Sequence, residues 1–530
     1  MGNNIPGSLR HRFNKRGYYA LFQDLFKGRS LPAPPIQDDN TKSAYLILGL
    51  ILVTGFLLRI YKLSSQSIWL DEAYSIYHSQ QNFAHVISFK DLSPPLYYVL
   101  LHFWIRLTGT SEFSVRLLSV FFGTASVFII YLLGSHIFNK RVGIYSALLV
   151  AFSPLHIYFS QEARTYSLLF ALTLLSMYFY SKLNKDASKR IIAGYLLSTV
   201  FLTYAHLYAL LIVLVQNLHQ LIVNRFKLSR EVKAWVLLQF VVFIFYIPRM
   251  IQLPGIISNN YHSWITRPSF LQLMYMIYNF FSGPVFSFYG LALMLICSLL
   301  VLRYKFGSNI FFPLWILIPL LVPFIYSLLF TPIFVPKYTY FVSLPLYIIA
   351  SRSLFGMKTK IRPVLISAMI ILSVAALLVQ QDKTTKDPWN KVAEYIETSN
   401  QKTDKVIIIT AYEIQPFSYY FDQNCFQSND IYRCSYNKGI YPVDTLQEVK
   451  KLDEKKFWLI VSRGAYNAET QDVLNYLSDN YIETESREYV LNHNPALVNK
   501  LYRYFEDKGL IHLNFNRIKI AHFQKKQKGA

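Results

Sequence analysis

The chain has 530 residues, of which 53% are hydrophobic and only 16% are charged. This balance excludes an ordinary soluble domain, which carries more charge, and repeated apolar runs of about 20 residues predict a polytopic α-helical membrane protein. The net charge is +23, yet the Lys and Arg residues cluster in short loops between the apolar runs. We therefore attribute the charge to membrane topology and expect no nucleic-acid partner.

Eleven apolar runs follow a basic N-terminal tail, residues 1–43, and each predicts a membrane-spanning helix. With a cytoplasmic N-terminus, every basic cluster falls on the cytoplasmic side, as the positive-inside rule requires. The run 94–107 is too short to span comfortably, and counting it would move the later basic loops outside, so we expect a helix on the outer surface. The predicted spans are 44–61, 114–138, 143–160, 164–182, 190–206, 207–223, 234–252, 285–302, 310–330, 339–355 and 362–381.

This topology predicts a multi-pass protein of the inner (plasma) membrane with a long first extracytoplasmic loop, residues 62–113. The composition changes after the last span, because 19 of the 30 acidic residues lie beyond residue 382. We therefore expect residues 44–382 to form the membrane domain and residues 383–510 to form a small extracytoplasmic α/β domain. We expect residues 511–530 to be a basic, disordered tail.

The pattern within the C-terminal domain supports this division. Apolar runs at 405–410 and 457–461 predict short buried strands, and residues 389–399 and 469–477 predict amphipathic helices. An extracytoplasmic location would permit a disulfide between the two cysteines of this domain, although their spacing alone leaves the pairing open. Those cysteines are Cys425 and Cys434.

Carboxylates are scarce in the membrane domain: only seven acidic residues occur between residues 44 and 381, and the topology places five of them outside. The adjacent pair Asp71 and Glu72 follows the first span, where ionised groups are costly unless they face water, a cation or a substrate. Such a carboxylate can accept a proton from an acceptor hydroxyl. The alternative is a structural role, as a helix cap or as a partner of Lys62 or Lys90.

Further charged residues border the spans on the same side. Glu162 and Arg164 lie at the outer end of a predicted span, and Arg116 and Lys337 stand beside two others. Cations there can hold a lipid-linked phosphate, while snorkelling to ordinary phospholipid headgroups is the alternative. Weaker candidates are Arg249 and Arg267, together with His206 as a sugar or metal contact, although no metal-ligand spacing is evident.

Taken together, these motifs resemble the bacterial protein-mannosyltransferase-like glycosyltransferases, glycosyltransferase family 39 of the GT-C superfold. They are also similar to the lipid A aminoarabinose transferases. The resemblance extends in order over about residues 44–382 and includes a C-terminal domain. The motifs that carry it are Trp69-Leu70-Asp71-Glu72-Ala73-Tyr74, Ser93-Pro94-Pro95-Leu96-Tyr97, Arg116-Leu117-Leu118-Ser119, Phe152-Ser153-Pro154, Ser160-Gln161-Glu162-Ala163-Arg164, Tyr204-Ala205-His206, Pro336-Lys337-Tyr338 and Asp387-Pro388-Trp389-Asn390.

The resemblance implies an inverting transfer of sugar from a polyprenyl-phosphate donor to an extracytoplasmic hydroxyl, either without a metal or with metal assistance. It implies Asp71 as general base, supported by Glu72, and Glu162 as the second acidic position. Cations near the donor phosphate would be Arg116, Arg164 and Lys337, although many relatives have Arg at the last position. Residues expected to contact substrate are His206, Tyr74 and Tyr166.

Two other functions remain open at this stage. A lipid-linked sugar flippase or transporter would carry charged residues near the middle of several spans, whereas the predicted span interiors lack acidic residues. A GT-C polysaccharide polymerase or ligase with a diphosphate-linked donor would need a second firm cationic site. The sequence therefore favours an enzyme but identifies neither the sugar nor the acceptor.

Overall fold

The computed structural model describes residues 41–89, 93–183, 187–227, 229–259, 265–306, 310–399, 401, 403–462, 468–490 and 517–526. Most of the predicted N-terminal tail, residues 1–40, and residues 511–516 and 527–530 of the predicted C-terminal tail lie outside these ranges.

The described chain up to Asp382 is largely helical, as the apolar runs predict. A 3-10 helix spans Pro336–Val342. The helices are α1 Thr41–Ile60, α2 Leu70–Gln80, α3 Phe83–Ser88, α4 Leu96–Thr108, α5 Glu112–Ile137, α6 Lys140–Phe152, α7 Pro154–Ser160, α8 Tyr166–Leu183, α9 Lys189–Ala205, α10 Ala209–Val223, α11 Arg230–Asn259, α12 Phe270–Ser282, α13 Phe288–Arg303, α14 Phe311–Leu329, α15 Ser343–Phe355 and α16 Ile361–Asp382.

Every predicted span contains a helix, but the helices differ in length and hydropathy. In the described part of the chain, five are long and apolar enough to cross a bilayer: α1, α5, α11, α14 and α16. A sixth is added if α6 and α7, which meet at a bend of 60°, count as one span. The protein is therefore a multi-pass membrane protein, and the total of eleven spans stays a prediction.

The bend between α6 and α7 is stabilised by a buried arginine at the end of α1. Pro154 has no N–H, so the Val150 carbonyl loses the donor that a continuous helix would supply. Arg59 donates to this carbonyl at 3.0 Å and to the Ala151 carbonyl at 3.1 Å. Gly123 on α5 makes room for the arrangement, because a Cβ there would lie 2.0 Å from the Ser160 hydroxyl oxygen.

The C-terminal domain is a five-stranded mixed sheet with helices, in the strand order β2-β1-β3-β5-β4. Strands β1, β2 and β3 are mutually parallel, whereas β5 runs antiparallel to β3 and β4. The predicted strands and helices of this domain are confirmed. Its elements are α17 Trp389–Thr398, β1 Lys405–Ile409, α18 Ile414–Phe421, α19 Gln423–Phe426, α20 Ile431–Asn437, β2 Ile440–Val443, α21 Leu446–Leu452, β3 Lys456–Val461, α22 Ala468–Asn480, β4 Tyr481–Val490 and β5 Arg517–Lys525.

Strand β5 corrects the predicted boundary of this domain. Its residues were assigned to a disordered basic tail, yet they pair with β3 and β4 inside the sheet. Ile518 and Ile520 are both fully buried, and polar residues alternate with them, which is the pattern of a half-buried strand. The prediction of disorder is therefore wrong for Arg517–Lys525, because the basic residues masked this alternation.

The C-terminal domain packs against the first loop of the membrane domain. Tyr419 on α18 donates its hydroxyl to the Thr110 carbonyl at 2.7 Å. The next residue, Tyr420, accepts from the Ile68 backbone N–H at 2.6 Å and bonds the Glu112 carboxylate. These contacts bring the domain to the start of α2, where the carboxylate pair lies.

Candidate active site

The two carboxylates occupy the first turn of α2, where the helix dipole favours negative charge. Neighbouring residues on a helix point about 100° apart, so the two side chains enter different surroundings. Glu72 is completely buried, whereas the Asp71 side chain is 23% exposed. The pair therefore divides into one carboxylate inside the protein and one at the surface of the site.

Glu72 forms a bidentate ion pair with Arg116 of α5. The Arg116 Nε and Nη2 atoms lie 2.8 and 2.7 Å from the two Glu72 carboxylate oxygens. The other three N–H groups of Arg116 bond the backbone carbonyls of Leu63, Gln66 and Ser67. All five donors are thus used within the protein, so these contacts support a structural role in the first loop rather than the phosphate contact expected from the sequence.

Two further groups bind the Glu72 carboxylate. The Ala163 backbone N–H donates to it at 2.9 Å, and the Lys386 ammonium lies 3.0 Å away. Burial alone would raise the pKa of Glu72, but Arg116 and Lys386 outweigh burial and lower that pKa to about 2. Glu72 is therefore ionised over the physiological pH range, and it joins the first loop to the loop that carries Ala163.

Asp71 lies between two cations. The Lys337 ammonium is 2.8 Å from its carboxylate, and the Arg164 Nε is 4.0 Å from the same oxygen. Burial lowers the pKa of Lys337, but the Asp71 carboxylate outweighs burial and raises it above the ordinary value. Lys337 therefore stays charged, and its side chain is 29% exposed. One partly exposed carboxylate and one partly exposed ammonium together form the open side of the site.

Glu162, in the loop between α7 and α8, differs from both. It is 2% exposed. Burial raises its pKa to about 7, with Lys386 and Lys337 opposing the rise and Glu72 and Asp71 adding to it. Its charge therefore changes near neutral pH.

Aromatic side chains form the wall beneath Lys337. Its ammonium lies 5.4 Å from the centre of the Trp69 ring and 5.9 Å from that of Tyr166. The Tyr166 hydroxyl is buried and has no hydrogen-bond partner among the described residues. His206 lies 4.7 Å from Tyr338, ring centre to ring centre, and its Nδ1 accepts from the Tyr208 N–H. The structure thus brings Tyr166 and His206 to this wall.

The other sequence candidates have different contacts. Tyr74 lies three residues after Asp71 on α2 and contacts His78 of the same helix and Phe89, with ring centres 4.4 and 5.8 Å away. Arg249 is buried on α11, where it bonds Gln252 at 3.3 Å. Arg267 is exposed. In the described part of the chain, no cluster of three or more His, Cys, Asp or Glu side chains could hold a metal ion.

One residue of the cluster was not predicted from the sequence. Lys386 follows the last membrane helix and is 5% exposed, with its ammonium between Glu72 and the Gln161 carbonyl. The one available signal was its position immediately before the motif Asp387-Pro388-Trp389-Asn390. Nothing in its spacing indicated contact with a carboxylate more than three hundred residues earlier.

The chain is similar in sequence to one known family and in fold to several solved structures. Residues 93–251 match the family model described as dolichyl-phosphate-mannose-protein mannosyltransferase. The sequence matches no curated protein. The fold is similar to that of ArnT from Cupriavidus metallidurans in the apo state, with a TM-score of 0.57 and 12% identity over 91% of this chain and 98% of that one.

Other solved structures extend the comparison. The same ArnT bound to undecaprenyl phosphate matches with a TM-score of 0.54 and 12% identity over 91% of this chain and 98% of that one. The apo oligosaccharyltransferase of Archaeoglobus fulgidus also has a TM-score of 0.54, at 9% identity over 92% of this chain and 89% of that one. The chain thus has the GT-C fold of membrane glycosyltransferases, and it resembles ArnT and the protein mannosyltransferases.

Proposed function

We propose that the protein is an inverting membrane glycosyltransferase with a polyprenyl-monophosphate-linked sugar as donor. The acceptor is a hydroxyl of a protein, glycolipid or polysaccharide on the extracytoplasmic side of the inner membrane. The observation that carries this proposal is the exposed Asp71 carboxylate, which lies between Lys337 and Arg164 at the surface of a buried charge cluster. The likeness to ArnT supports it, since one ArnT structure contains undecaprenyl phosphate.

The donor imposes two chemical requirements. The leaving group is a phosphate monoester, which departs as an anion and needs cations rather than a general acid. Lys337 is partly exposed, has two N–H groups besides the one directed at Asp71, and suits a point-charge contact with phosphate. Arg164 is the second cation beside Asp71. We assign the donor phosphate to these two residues and the sugar to the wall of Tyr166 and His206.

The acceptor requires a base. In the proposed step the acceptor oxygen bonds the anomeric carbon, the bond from that carbon to the phosphate oxygen breaks, and Asp71 takes the hydroxyl proton. Polyprenyl phosphate leaves with the bonding electron pair. General-base assistance of this kind contributes about 10²- to 10⁴-fold in rate.

Two charged neighbours act on the Asp71 carboxylate. The Lys337 ammonium lies 2.8 Å from it, and the donor phosphate would compete for this ammonium. Glu162, once ionised, adds a second negative charge near Asp71, which favours transfer of the acceptor proton to this pair of carboxylates. Turnover should therefore rise as Glu162 loses its proton near pH 7.

The test is donor turnover by purified protein in lipid nanodiscs, with and without a chelator. Radiolabelled polyprenyl-phosphate sugars are supplied, and loss of label to water or to an acceptor is followed. Asp71→Asn should lower turnover by at least 100-fold while donor binding is retained. The matched control is Asp472→Asn, an exposed carboxylate on α22 of the C-terminal domain.

Each result has a clear meaning. Equal turnover by Asp71→Asn and the wild type would contradict the base assignment. Absence of turnover in both, with the donor moving between leaflets, would contradict the transferase and support a lipid-linked sugar flippase.

A further inference from the structure

The segment that leads into the C-terminal domain is bound to the first loop immediately before α2. The Gln66 side-chain carbonyl accepts from the Thr385 N–H at 2.8 Å, from its hydroxyl at 2.9 Å and from the Lys386 N–H at 3.1 Å. The Asn390 N–H donates to the Ser67 hydroxyl at 3.2 Å. The backbone of the C-terminal segment is thus held beside the start of the helix that carries both carboxylates.

The other end of α2 is held by the same domain. Tyr77 donates its hydroxyl to the Asn429 carbonyl at 3.2 Å, and Gln81 donates to the Ser428 carbonyl at 3.3 Å. Both carbonyls lie in the segment closed by the disulfide between Cys425 and Cys434. The C-terminal domain therefore contacts α2 at both of its ends.

Lys386 brings this domain into the carboxylate cluster itself. Its ammonium bonds the Gln161 carbonyl at 2.9 Å and the Glu72 carboxylate at 3.0 Å, and the side chain is 5% exposed. A buried ammonium is costly unless it is paired and hydrogen-bonded, so these contacts specify where Lys386 lies. It joins the first loop, the loop before α8 and the C-terminal domain at one point.

We infer that Lys386 is a positioning residue, through which docking of the C-terminal domain holds Glu72 and Glu162 in their working arrangement. The domain then completes the active site, in addition to any part it has in acceptor recognition. The expected effect of Lys386 on the pH dependence of turnover rests on the proposed function, whereas its expected effect on the arrangement of α2 does not.

The charges that face Glu162 make the catalytic consequence measurable. They are Lys386 from the C-terminal segment, Lys337 from the segment before α15, and Asp71 and Glu72 from α2. Lys386 and Lys337 both lower the pKa of Glu162, and Lys386 has the larger effect, which its substitution removes. The midpoint of a pH–rate profile governed by Glu162 should then rise by about one unit.

The experiment compares Lys386→Met, Lys386→Arg and Lys391→Met with the wild type, all as full-length protein in nanodiscs. Lys391 is exposed, lies five residues further along the chain and serves as the matched control. Hydrogen–deuterium exchange of residues 66–81 reports the arrangement of α2 without any need for turnover. The pH dependence of turnover with a polyprenyl-phosphate sugar reports the charge on Glu162 and, where Lys386 is present, the charge on Lys386, because burial lowers the pKa of Lys386 to about 8.

Lys386→Met is expected to raise deuterium uptake over residues 66–81 and to move the pH midpoint upward, while Lys386→Arg restores both and Lys391→Met changes neither. Unchanged uptake would overturn the inference. Raised uptake with an unchanged midpoint would also overturn it, because Lys386 would then be a structural contact alone. If the wild type turns over no donor at any pH, the proposed function fails, and the exchange data alone decide the inference.

Discussion

Replacing Glu72 with Gln removes the negative charge that compensates two buried cations, Arg116 and Lys386. Glu72 is fully buried and accepts hydrogen bonds from Arg116, Lys386 and the Ala163 backbone N–H. Gln has nearly the same size, so the change alters charge and leaves volume almost unchanged. The substitution therefore measures the electrostatic contribution of the carboxylate.

The magnitude follows from the pKa of Glu72, which falls from an ordinary value of 4.5 to about 2. A fall of that size corresponds to about 3 kcal/mol of stability at neutral pH. Breaking a buried ion pair by removing one partner typically costs ~3–5 kcal/mol, and the value obtained from the pKa lies at the lower end of this range. We therefore expect Glu72→Gln to lower the free energy of unfolding by about 3 kcal/mol at pH 7.

The pH dependence has a definite sign. The folded-state pKa of Glu72 lies below its unfolded value, so its contribution is complete above pH 4.5 and is lost as the pH falls toward 2. The difference in stability between wild type and Glu72→Gln should therefore be largest near pH 7 and shrink below pH 4.5. Comparing the two proteins at each pH cancels the titration of carboxylates that do not interact with Glu72.

The assay is unfolding by SDS titration in mixed micelles, with Glu397→Gln as a control at an exposed carboxylate. Adding Arg116→Met to Glu72→Gln should cost less than the sum of the two single changes, because the carboxylate and the guanidinium compensate each other's charge. A difference below about 0.5 kcal/mol at pH 7, or one that does not change with pH, would refute the reasoning.

Two further predictions concern the other basic residues. Lys337→Met should raise the donor KM at least tenfold, measured by steady-state kinetics. It should cost less than about 1 kcal/mol of stability in SDS unfolding, because the ion pair of Lys337 with Asp71 is partly exposed. An unchanged KM would remove Lys337 from the phosphate site. Arg59→Met leaves the carbonyls of Val150 and Ala151 without their arginine donor. For each carbonyl that then has no donor, the free energy of unfolding in the same assay should fall by ~1–3 kcal/mol. Wild-type stability in this variant would show that the bend does not depend on Arg59.

Several features of the fold are local properties of the chain, which is why the sequence predicts them. Apolar runs coincide with helices because burial in lipid requires continuous apolar length and internally bonded backbone. The strands at Lys405–Ile409 and Lys456–Val461 follow from short apolar runs in a polar domain. Arg517–Lys525 was missed, since its basic residues conceal a two-residue alternation. Hydropathy alone does not fix the number of membrane spans, because short and bent helices contribute to the same apolar signal.

For the candidate site as well, the sequence predicts which residues are involved, and the tertiary structure decides their contacts. The scarcity of carboxylates in the membrane domain, together with the family motifs, selected Asp71, Glu72 and Glu162, because each ionised group near lipid is costly and needs a reason. Which carboxylate is buried, however, depends on the direction each side chain takes from α2 and on the cations it meets. Arg116 lies near the site as predicted, but only the tertiary contacts show that all its donors are used within the protein.

The sequence by itself thus determined the membrane class, the C-terminal α/β pattern and the residues that can carry chemistry, since these depend on hydropathy and residue type over short stretches. The tertiary structure alone decided that Lys386 joins Glu72, that Lys337 binds Asp71 and that Glu162 is buried. These residues are far apart along the chain, and their charge states depend on distances and burial that exist only after the helices pack and the C-terminal domain docks.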